Sequence, residues 1–349
     1  MSFVANVAPQ QSAPGAPRVI VAGATGFTGA LAAHLLWRHP DFELVAVTGR
    51  SEQGRPLQDV YPRYRVPLVI EPLELEHLEG IDAAVVAYPH AAAAPTVGAL
   101  RELGARVVDL SADFRLGSLA TYERWYGEHP RPDLLEQAVY GLTELHRERI
   151  VDATIVANPG CYPTASLLAL APLARAGVIA DVVIDAKQGI SGAGRVFDQT
   201  THLSMAGENI VPYKVAAHRH TPEIEEQLHA LNPRAPELKV QFQAHLVPLD
   251  QGELASCYVT TTRPVAAQEL RAMYADAYAQ EPFVEFSDSP PGVLEVRETN
   301  FCRVFAAADE HTGKVVAFGS IDNLWKGTSS QALQNLNLMF GYPETRGLL

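Results

Sequence analysis

The chain has 349 residues, of which 27 are Lys or Arg and 40 are Asp or Glu, so its formal net charge is −13. This is about the length of two domains of ~150 residues, enough to bury a core without disulfides or metals. Such an acidic chain is unlike proteins that bind nucleic acid or anionic membranes by neutralising phosphates. Hydrophobic residues at 47% and charged residues at 19% exclude a fibrous or disordered chain.

The cysteine pattern predicts a reducing compartment. Cys161, Cys257 and Cys302 are odd in number, and the N-terminal residues do not follow the pattern of a secretory signal peptide. We therefore expect no disulfide framework and a cytoplasmic location. Pro, Arg or Gly interrupts every apolar run before it reaches the ~20 residues that span a bilayer, so we predict no membrane segment.

The first half of the chain predicts an α/β domain. Residues 1–17 are rich in Gln, Ser, Ala and Pro without a period, which predicts a disordered tail. From residue 18 onwards, apolar runs alternate with helical stretches such as residues 27–38. The predicted strands are 18–22, 43–48, 82–88, 106–110 and 154–157. Such alternation is typical of a doubly wound parallel sheet, which we place at residues 18–160.

A second pattern begins at residue 161. A long apolar helix starts there, with Pro163 in its first turn. Strand-like runs of mixed alternation follow at 181–187, 239–245, 254–261 and 303–307. They predict an α+β domain over residues 161–323, with one face of its sheet covered. We expect the helical C-terminal segment, 324–349, to pack back on the first domain.

A glycine-rich turn joins the first predicted strand to the first predicted helix. Gly23, Gly26 and Gly29 form a G-x-x-G-x-x-G pattern there. Glycines at such a turn allow a tight bend, close approach of the backbone to a pyrophosphate and close packing of helix on strand. The pattern predicts a dinucleotide site, although an ordinary strand-to-helix turn would use similar residues.

The end of the second predicted strand indicates which dinucleotide binds. An NAD-binding protein usually places Asp or Glu at this point to bind the ribose hydroxyls, whereas this chain has Arg50 and Ser51. A guanidinium forms charge-assisted hydrogen bonds to a 2′-phosphate. We therefore predict NADP(H) as the cofactor; a solvated surface charge is the alternative for Arg50.

Cys161 is the candidate nucleophile. It lies where a strand gives way to a helix, and the helix N-terminus favours a thiolate there. Gly160 and Pro163 specify a sharp turn that presents the side chain. Cys257 and Cys302 lie inside strand-like runs and are interpreted as small buried residues.

A thiol nucleophile needs an acid/base partner and an anion site. His218 and His220 precede a predicted helix, and either could be the acid/base partner. A metal-binding pair is the less favoured alternative, because no Cys or carboxylate lies at the spacing of a further zinc ligand. The loop 191–195, with its glycines and Arg195, could bind a phosphate or a carboxylate. An ordinary flexible loop is the alternative interpretation.

These residues resemble the N-acetyl-γ-glutamyl-phosphate reductase family of arginine biosynthesis. The resemblance covers the chain from residue 18 onwards and rests on the fingerprint 23–29 and on 110–115, 156–172, 191–195, 218–223 and 321–327. It implies a Rossmann NADP-binding domain and an α+β catalytic domain of the semialdehyde-dehydrogenase type. Homodimers or homotetramers are implied as well.

The resemblance also implies roles for individual residues. Cys161 would be the nucleophile, and His218 would take the thiol proton and later protonate the oxyanion. The loop 191–195 would contact the substrate or its phosphate. The implied cofactor contacts are Gly23, Thr25, Gly26, Phe27, Thr28, Gly29, Arg50, Ser51, Ser191, Gly192 and Asn323. The implied substrate contacts are Arg115, Asn158, Arg195, Tyr213, His220 and Glu223. No metal is implied.

The expected reaction is NADPH-dependent reduction of a small acyl phosphate to an aldehyde through a Cys161 thioester. A sister branch reduces a carrier-protein-linked aminoadipyl phosphate; Pro159, Tyr162 and Pro163 favour the arginine branch. An aspartate-semialdehyde dehydrogenase shares the domain plan, but the residues around Cys161 and the His-Arg-His motif argue against it. An NADP-sensing regulator is the non-enzymatic alternative, and it predicts an unreactive Cys161.

Overall fold

The computed structural model describes residue 10, residues 12–196 and residues 199–349. Contacts divide the chain into two units: the described residues up to Asn158 together with Ser329–Leu349, and Pro159–Thr328. Residues 1–9 and 11 of the predicted tail lie outside the described residues. Within its described part, the Ala13 N–H donates to the Pro40 carbonyl at 3.1 Å.

The first unit is built on a parallel sheet. Among the described residues its strands are β1 (Arg18–Ala22), β2 (Glu43–Thr48), β3 (Ile70–Glu71), β4 (Ala83–Val86), β5 (Arg106–Asp109), β6 (Ala138–Tyr140) and β7 (Ile155–Ala157). Their order is β3-β2-β1-β4-β5-β7-β6, and all neighbours are parallel. The central strand β4 is buried throughout, as its unbroken apolar run requires in a sheet covered on both faces. The predicted fold class of this domain is confirmed.

The helices of this unit before residue 158 are α1 (Phe27–Trp37), α2 (Leu57–Val60), α3 (Ala93–Glu102), α4 (Leu119–Tyr126) and α5 (Thr143–Val151). The helix α1 follows β1 after a short turn, as the alternation of strand and helix predicts.

The second unit contains a mixed sheet. Among the described residues its strands are β8 (Ile179–Gly189), β9 (Val211–Tyr213), β10 (Val240–Val247), β11 (Glu253–Thr261), β12 (Val284–Phe286), β13 (Cys302–Asp309) and β14 (Lys314–Ile321). Their order is β12-β13-β14-β11-β8-β10-β9. Its helices are α6 (Cys161–Arg175), α7 (Leu203–Ala206), α8 (Thr221–Leu231) and α9 (Ala267–Tyr278). This is the predicted α+β domain.

The helix α6 packs against β8, β11 and β14 and is buried along almost its whole length. Pro172 inside this helix has no N–H to give to the carbonyl of Leu168. The Tyr278 hydroxyl, from α9, donates to that carbonyl instead. On the sheet side, a Cβ on Gly319 would lie 2.2 Å from the Ala165 carbonyl oxygen, so glycine permits the close approach of β14.

The C-terminal helix α10 (Ser330–Met339) belongs to the first unit. Its polar side chains satisfy buried groups of that unit. Gln331 Nε2 donates to the Gly141 carbonyl at 3.0 Å and to Thr143 Oγ1 at 2.8 Å. Asn335 Nδ2 donates to the same carbonyl at 2.8 Å. These bonds explain why a buried helix carries amides at core positions.

The structure differs from the sequence prediction at several elements. The strands β3, β6, β9 and β12 have only two or three residues each, too few for a periodic signal. The strand β14 was also missed, although Gly313 with a φ of 71° marks the turn that joins it to β13. The helix expected from residue 324 begins instead with a π-helical turn, Trp325–Ser329. Within the described residues, no helix is both long enough and apolar enough to cross a bilayer.

Candidate active site

A cavity of about 420 Å³ lies in the second unit and collects several of the predicted residues. The predicted residues that line it are Cys161, Gly192, Tyr213, His218 and His220. The sequence analysis assigned no role in the site to Tyr162, Gln188 or Lys214, which line it too. A thiol, imidazoles, phenols and a cation therefore share one chamber.

Cys161 is the first residue of α6, directly after Gly160 at the N-cap. Burial raises the pKa of its thiol well above the ordinary value, and the Glu253 carboxyl raises it further. A hydrogen bond from the Tyr162 N–H in the first turn of the helix acts in the opposite direction. The helix N-terminus thus favours the thiolate, as expected, but desolvation outweighs this contribution.

Gln188 joins Cys161 to Glu253. Its Nε2 lies 2.9 Å from Cys161 Sγ and 3.0 Å from Glu253 Oε2. Gln188 and Glu253 are partners in the register of β8 and β11. A Cβ on Gly192 would lie 2.2 Å from the end of the Gln188 side chain, so a larger residue there would displace this amide.

Glu253 is fully buried. Burial raises the pKa of its carboxyl to about 8, and a hydrogen bond with Cys161 opposes that rise. The sequence analysis missed both Gln188 and Glu253. The alternation of side chains along the two strands could have indicated them. Each is a polar residue on the side of its strand that otherwise carries buried apolar side chains.

His218 is nearly buried among aromatic rings. The ring centroids of Tyr162, Tyr213 and Phe242 lie 5.4, 5.6 and 4.9 Å from its own. Its Nδ1 accepts the His220 N–H at 3.2 Å. Burial lowers the pKa of His218 to about 3, and the Lys214 and Arg219 charges contribute in the same direction. The imidazole is neutral at pH 7, and because a backbone N–H can only donate, its proton is on Nε2.

The two phenols of the cavity are hydrogen-bonded to each other, with Tyr213 Oη 3.1 Å from Tyr162 Oη. Burial raises the pKa of both hydroxyls, so they remain protonated donors. Lys214, next to Tyr213, is the exposed cation of the cavity wall. Burial of part of its side chain lowers the pKa of Lys214, and Arg219 lowers it further.

Other predicted substrate contacts bind the chain itself. Glu223 is buried, and its Oε1 accepts the Gly160 N–H at 2.9 Å. Arg115 is buried too, and it donates to the carbonyls of Leu110 at 2.7 Å and Asn158 at 2.8 Å. Arg195 is exposed and is not among the residues that line the cavity.

The side chain of Asn158 belongs to the first unit, where its Oδ1 accepts Asn335 Nδ2 at 3.1 Å. In the second unit, Asn323 joins two loops: its Oδ1 accepts the Gly252 N–H at 2.8 Å and its Nδ2 donates to Ser191 Oγ at 3.1 Å. The predicted ligand contacts of Asn158, Asn323 and Ser191 stay predictions.

The glycine-rich turn of the first unit fits a dinucleotide. Gly23 has a φ of 96°, and a Cβ on Gly29 would lie 2.2 Å from the Gly23 carbonyl oxygen, so the turn closes tightly on α1. A Cβ on Gly26 would meet only the same carbonyl, at 4.0 Å, so this residue faces open space. The helix α1 has no side-chain cap and no acidic residue in its first turn. Its N-terminal amides are therefore suited to an anion.

Arg50 and Ser51 lie just beyond the end of β2 and are both exposed. The Arg50 guanidinium is stacked 5.0 Å from the centroid of the Tyr88 ring. Ser51 Oγ donates to Thr25 Oγ1 in the glycine-rich turn at 3.3 Å. The structure thus places two hydroxyls at the glycine-rich turn and the Arg50 cation over the Tyr88 ring.

Comparison with known proteins agrees with this architecture. Residues 18–153 match the family profile described as the NAD binding domain of semialdehyde dehydrogenase. Residues 161–323 match the profile described as the semialdehyde dehydrogenase dimerisation domain. The fold and the cavity with its thiol therefore define a two-domain protein of the semialdehyde dehydrogenase class.

Curated relatives narrow the assignment. The N-acetyl-gamma-glutamyl-phosphate reductase of Moorella thermoacetica is 46% identical over 94% of this chain and 96% of its own length. That of Desulforudis audaxviator is 47% identical over 95% of this chain and 98% of its own length. The chain belongs to the N-acetyl-gamma-glutamyl-phosphate reductase family and is an oxidoreductase. The predicted family is confirmed.

Solved structures share the fold at low sequence identity. Aspartate semialdehyde dehydrogenase II from Vibrio cholerae has a TM-score of 0.71 at 19% identity, covering 93% of this chain and 99% of its own. The Candida albicans enzyme, solved with NADP, has a TM-score of 0.70 at 16% identity, covering 93% of this chain and 98% of its own. These similarities extend to the fold alone, so the aspartate-semialdehyde alternative gains no support from them.

Proposed function

We propose that the chain reduces N-acetyl-L-glutamyl 5-phosphate to N-acetyl-L-glutamate 5-semialdehyde and phosphate with NADPH, as a step of arginine biosynthesis. The observation that carries the proposal is the cavity in which Cys161, at the start of α6, meets His218 and Lys214. The names of the relatives at 46% and 47% identity support this substrate over a carrier-linked or aspartyl one.

Cys161 is the nucleophile of the proposed reaction. Its thiolate attacks the acyl carbonyl carbon; a C–S bond forms, the C–O bond to phosphate breaks, and the departing phosphate takes up one proton. When bound, NADPH supplies the hydride that reduces the thioester carbonyl. The C–S bond then breaks, so that the aldehyde leaves and the Cys161 thiolate is regenerated.

His218 stabilises the negative charge that develops on the carbonyl oxygen. Its Nε2–H is a donor held in place by the His220 N–H on Nδ1 and by the rings of Tyr162 and Phe242. One such preorganised donor is typically worth about 3 kcal/mol in the transition state. Lys214, on the cavity wall, binds the phosphate group of the substrate.

NADP(H) is the proposed cofactor. Gly23 to Gly29 and the first turn of α1 would hold the pyrophosphate, with open space at Gly26. Arg50 and Ser51 would hold the 2′-phosphate. The Arg50 cation is the residue that favours NADP(H) over NAD(H).

A homodimer or homotetramer forms, in our proposal, through the uncovered face of the second sheet. That face carries side chains that α6 does not cover, among them Tyr258, which is 41% exposed. Phe305 and Phe318 lie on the same face with ring centroids 6.4 Å apart. The match of residues 161–323 to a dimerisation domain supports this choice.

The reverse reaction tests the function. Phosphate-dependent reduction of NADP+ is followed at 340 nm with N-acetylglutamate semialdehyde, aspartate semialdehyde and carrier-linked aminoadipate semialdehyde. We expect the highest kcat/KM with the acetylated glutamate substrate. Preference for either of the others would move the enzyme to another pathway, and no turnover with any of them would favour the NADP-sensing alternative.

A further inference from the structure

The Arg50 guanidinium lies over an aromatic ring. Its Cζ atom is 5.0 Å from the centroid of the Tyr88 ring, within the distance at which a cation is attracted to the face of an aromatic system. Over the part of the chain that the structure describes, the guanidinium forms no hydrogen bond and no ion pair with another residue. Its N–H donors are therefore available for a ligand.

Tyr88 itself is fixed in the loop that follows β4. The N–H of the preceding residue, Ala87, donates to the Ala22 carbonyl at 2.7 Å, which ties the start of this loop to the end of β1. Tyr88 is only 9% exposed. Its hydroxyl oxygen lies 3.5 Å from Thr48 Oγ1 at the end of β2. The ring is therefore held at its base and at its hydroxyl, whereas the Arg50 side chain that it carries is exposed.

The glycine-rich turn lies against the same ring. The Thr48 carbonyl accepts the N–H groups of Gly23 at 3.0 Å and of Ala24 at 2.9 Å, so the turn is bonded to the end of β2. A Cβ on Gly23 would lie 3.2 Å from Tyr88 Cδ1. Tyr88 therefore adjoins both the turn that we propose to hold the pyrophosphate and the arginine that we propose to hold the 2′-phosphate.

A ring beneath an arginine changes how that arginine binds a phosphate. An exposed arginine side chain samples many rotamers, and ordering it on a ligand costs conformational entropy. Stacking on a fixed ring restricts those rotamers before the ligand arrives, so less entropy is lost on binding. The stacking uses the face of the guanidinium and leaves the N–H groups at its edge for the phosphate oxygens. Tyr88 can therefore strengthen the binding of a 2′-phosphate without contacting it.

We propose that Tyr88 is the positioning residue for Arg50, and that this pair sets the preference for a dinucleotide with a 2′-phosphate. The inference rests on the proposed use of NADP(H) and adds a residue that determines that specificity. The Tyr88 ring holds the guanidinium, and the guanidinium binds the phosphate oxygens. NAD(H) has a hydroxyl in place of the 2′-phosphate, so its binding does not depend on this pair.

Equilibrium binding of nucleotides to the full chain, without substrate, tests the pair. Nucleotide fluorescence measures Kd for NADPH and for NADH, which differ only in the 2′-phosphate. Tyr88→Leu removes the ring, and Tyr88→Phe removes only its hydroxyl. Arg50→Leu removes the cation, and the double variant Arg50→Leu/Tyr88→Leu measures the coupling between the two side chains.

The matched control is another aromatic ring that carries an arginine. The centroid of the Phe286 ring, in β12 of the second unit, lies 6.0 Å from Arg271 Cζ. Phe286→Leu therefore also removes a ring from an arginine, but at a distance in the chain from the glycine-rich turn. We expect this variant to match the unaltered protein in Kd for both nucleotides.

We expect Tyr88→Leu to raise Kd for NADPH about 5-fold and to leave Kd for NADH unchanged, because only the phosphate contact depends on the ring. Tyr88→Phe keeps the ring and should keep the ratio of the two Kd values. Arg50→Leu should raise Kd for NADPH further than Tyr88→Leu does. Adding Tyr88→Leu to Arg50→Leu should have no further effect, since the ring then has no cation to hold.

An unchanged ratio of Kd values in Tyr88→Leu would overturn the inference. So would an equal loss of affinity for NADPH and NADH, because a merely structural role, or a contact with the part that the two nucleotides share, predicts that result. Additive effects of Arg50→Leu and Tyr88→Leu would show that the two residues act independently, which also contradicts it. If Tyr88→Leu does not fold, Tyr88→Met, which also lacks the ring, decides on the same ratio.

Failure of the proposed function would give different results. A lack of preference for NADPH in the unaltered protein would overturn the proposed cofactor and the inference with it. Absence of turnover in the reverse reaction would contradict the proposed reaction, while the Kd values would still decide on Tyr88. A preference for NADPH that persists without the Tyr88 ring would overturn the inference alone.

Discussion

Glu223 accepts the backbone N–H of Gly160 at 2.9 Å, one residue before the candidate nucleophile Cys161. The carboxylate comes from the first turn of α8, three residues after His220. One short stretch of chain therefore carries His218 into the cavity and also binds the loop that presents the thiol. These two tasks fit the His-x-His-x-x-Glu spacing, and the contact of Glu223 with substrate stays a prediction.

Replacing Glu223 by Ala should leave the buried Gly160 N–H without its acceptor. We expect a loss of about 1–3 kcal/mol in the free energy of unfolding. We also expect kcat to fall about 10- to 100-fold as Cys161 moves from its position. Urea denaturation and steady-state kinetics measure both, and Glu223→Gln, which keeps an oxygen acceptor, is the control. Full activity of Glu223→Ala would show that Gly160 needs no anchor.

Replacing Cys161 by Ser should abolish the thioester and leave NADPH binding nearly unchanged, because the hydroxyl is a much weaker nucleophile. Mass spectrometry of the protein mixed with acyl phosphate detects the acyl adduct, and nucleotide fluorescence measures Kd for NADPH. Cys302→Ala, at a fully buried strand position, should retain the adduct. Substantial turnover of Cys161→Ser would remove this residue as the nucleophile.

Replacing Arg50 by Asp should shift the preference from NADPH toward NADH, because the new carboxylate repels a 2′-phosphate and can accept ribose hydroxyls. The ratio of kcat/KM for the two cofactors measures the shift. Arg55→Asp introduces the same charge change at an arginine that pairs with Glu52. A ratio that stays constant in Arg50→Asp, or shifts equally in both variants, would exclude a specific phosphate contact.

Protonation of His218 should destabilise the protein in mild acid. The native pKa is about 3, whereas histidine in an unfolded chain titrates near ~6.5. Between these values the unfolded chain binds more protons, so the free energy of unfolding falls as pH falls. This residue accounts for about 2 kcal/mol of that fall by pH 5.

His218→Asn should therefore lose less stability between pH 7 and pH 5 than the unaltered protein, as measured by urea denaturation at both values. The exposed His311, after β13, provides the control, since His311→Asn should keep the original slope. Equal slopes for all three proteins would contradict a neutral, buried His218.

Replacing Lys214 by Ala should weaken phosphate binding in the reverse reaction. Loss of one charge-assisted hydrogen bond predicts a rise in KM for phosphate of about 10-fold, with kcat less affected. Lys239→Ala removes a lysine that pairs with Glu225 and lies outside the cavity, and it should leave this KM unchanged. A KM for phosphate that is the same in Lys214→Ala would move the phosphate site elsewhere.

Local signals were enough to predict much of this protein. The apolar run of β1, the glycines after it and α1 are consecutive in the chain, and each reports its own conformation. The start of α6 at Cys161 was predicted for the same reason, since Gly160 and Pro163 mark a helix N-terminus. The direction of the Cys161 pKa shift was not predictable, because burial depends on strands that are distant in sequence.

The contact between Gln188 and Glu253 could not be predicted from the sequence. They are 65 residues apart, and only the pairing of β8 with β11 brings them together. Strand pairing over such a separation is set by tertiary packing and not by local preference. Arg115 and Glu223 were assigned to the substrate by their motifs; the structure adds main-chain partners for both, and their contact with substrate stays a prediction.

The discontinuity of the first unit has a consequence for synthesis of the chain. That unit takes α10 from the far C-terminal end, and the Gly141 carbonyl receives its side-chain donors only from Gln331 and Asn335 of that helix among the described residues. During synthesis from the N-terminus, the first unit therefore cannot complete its packing until α10 has left the ribosome. The unit that is translated first therefore completes its packing last. A nascent chain released early would expose to chaperones and proteases the surface of the first unit on which α10 packs.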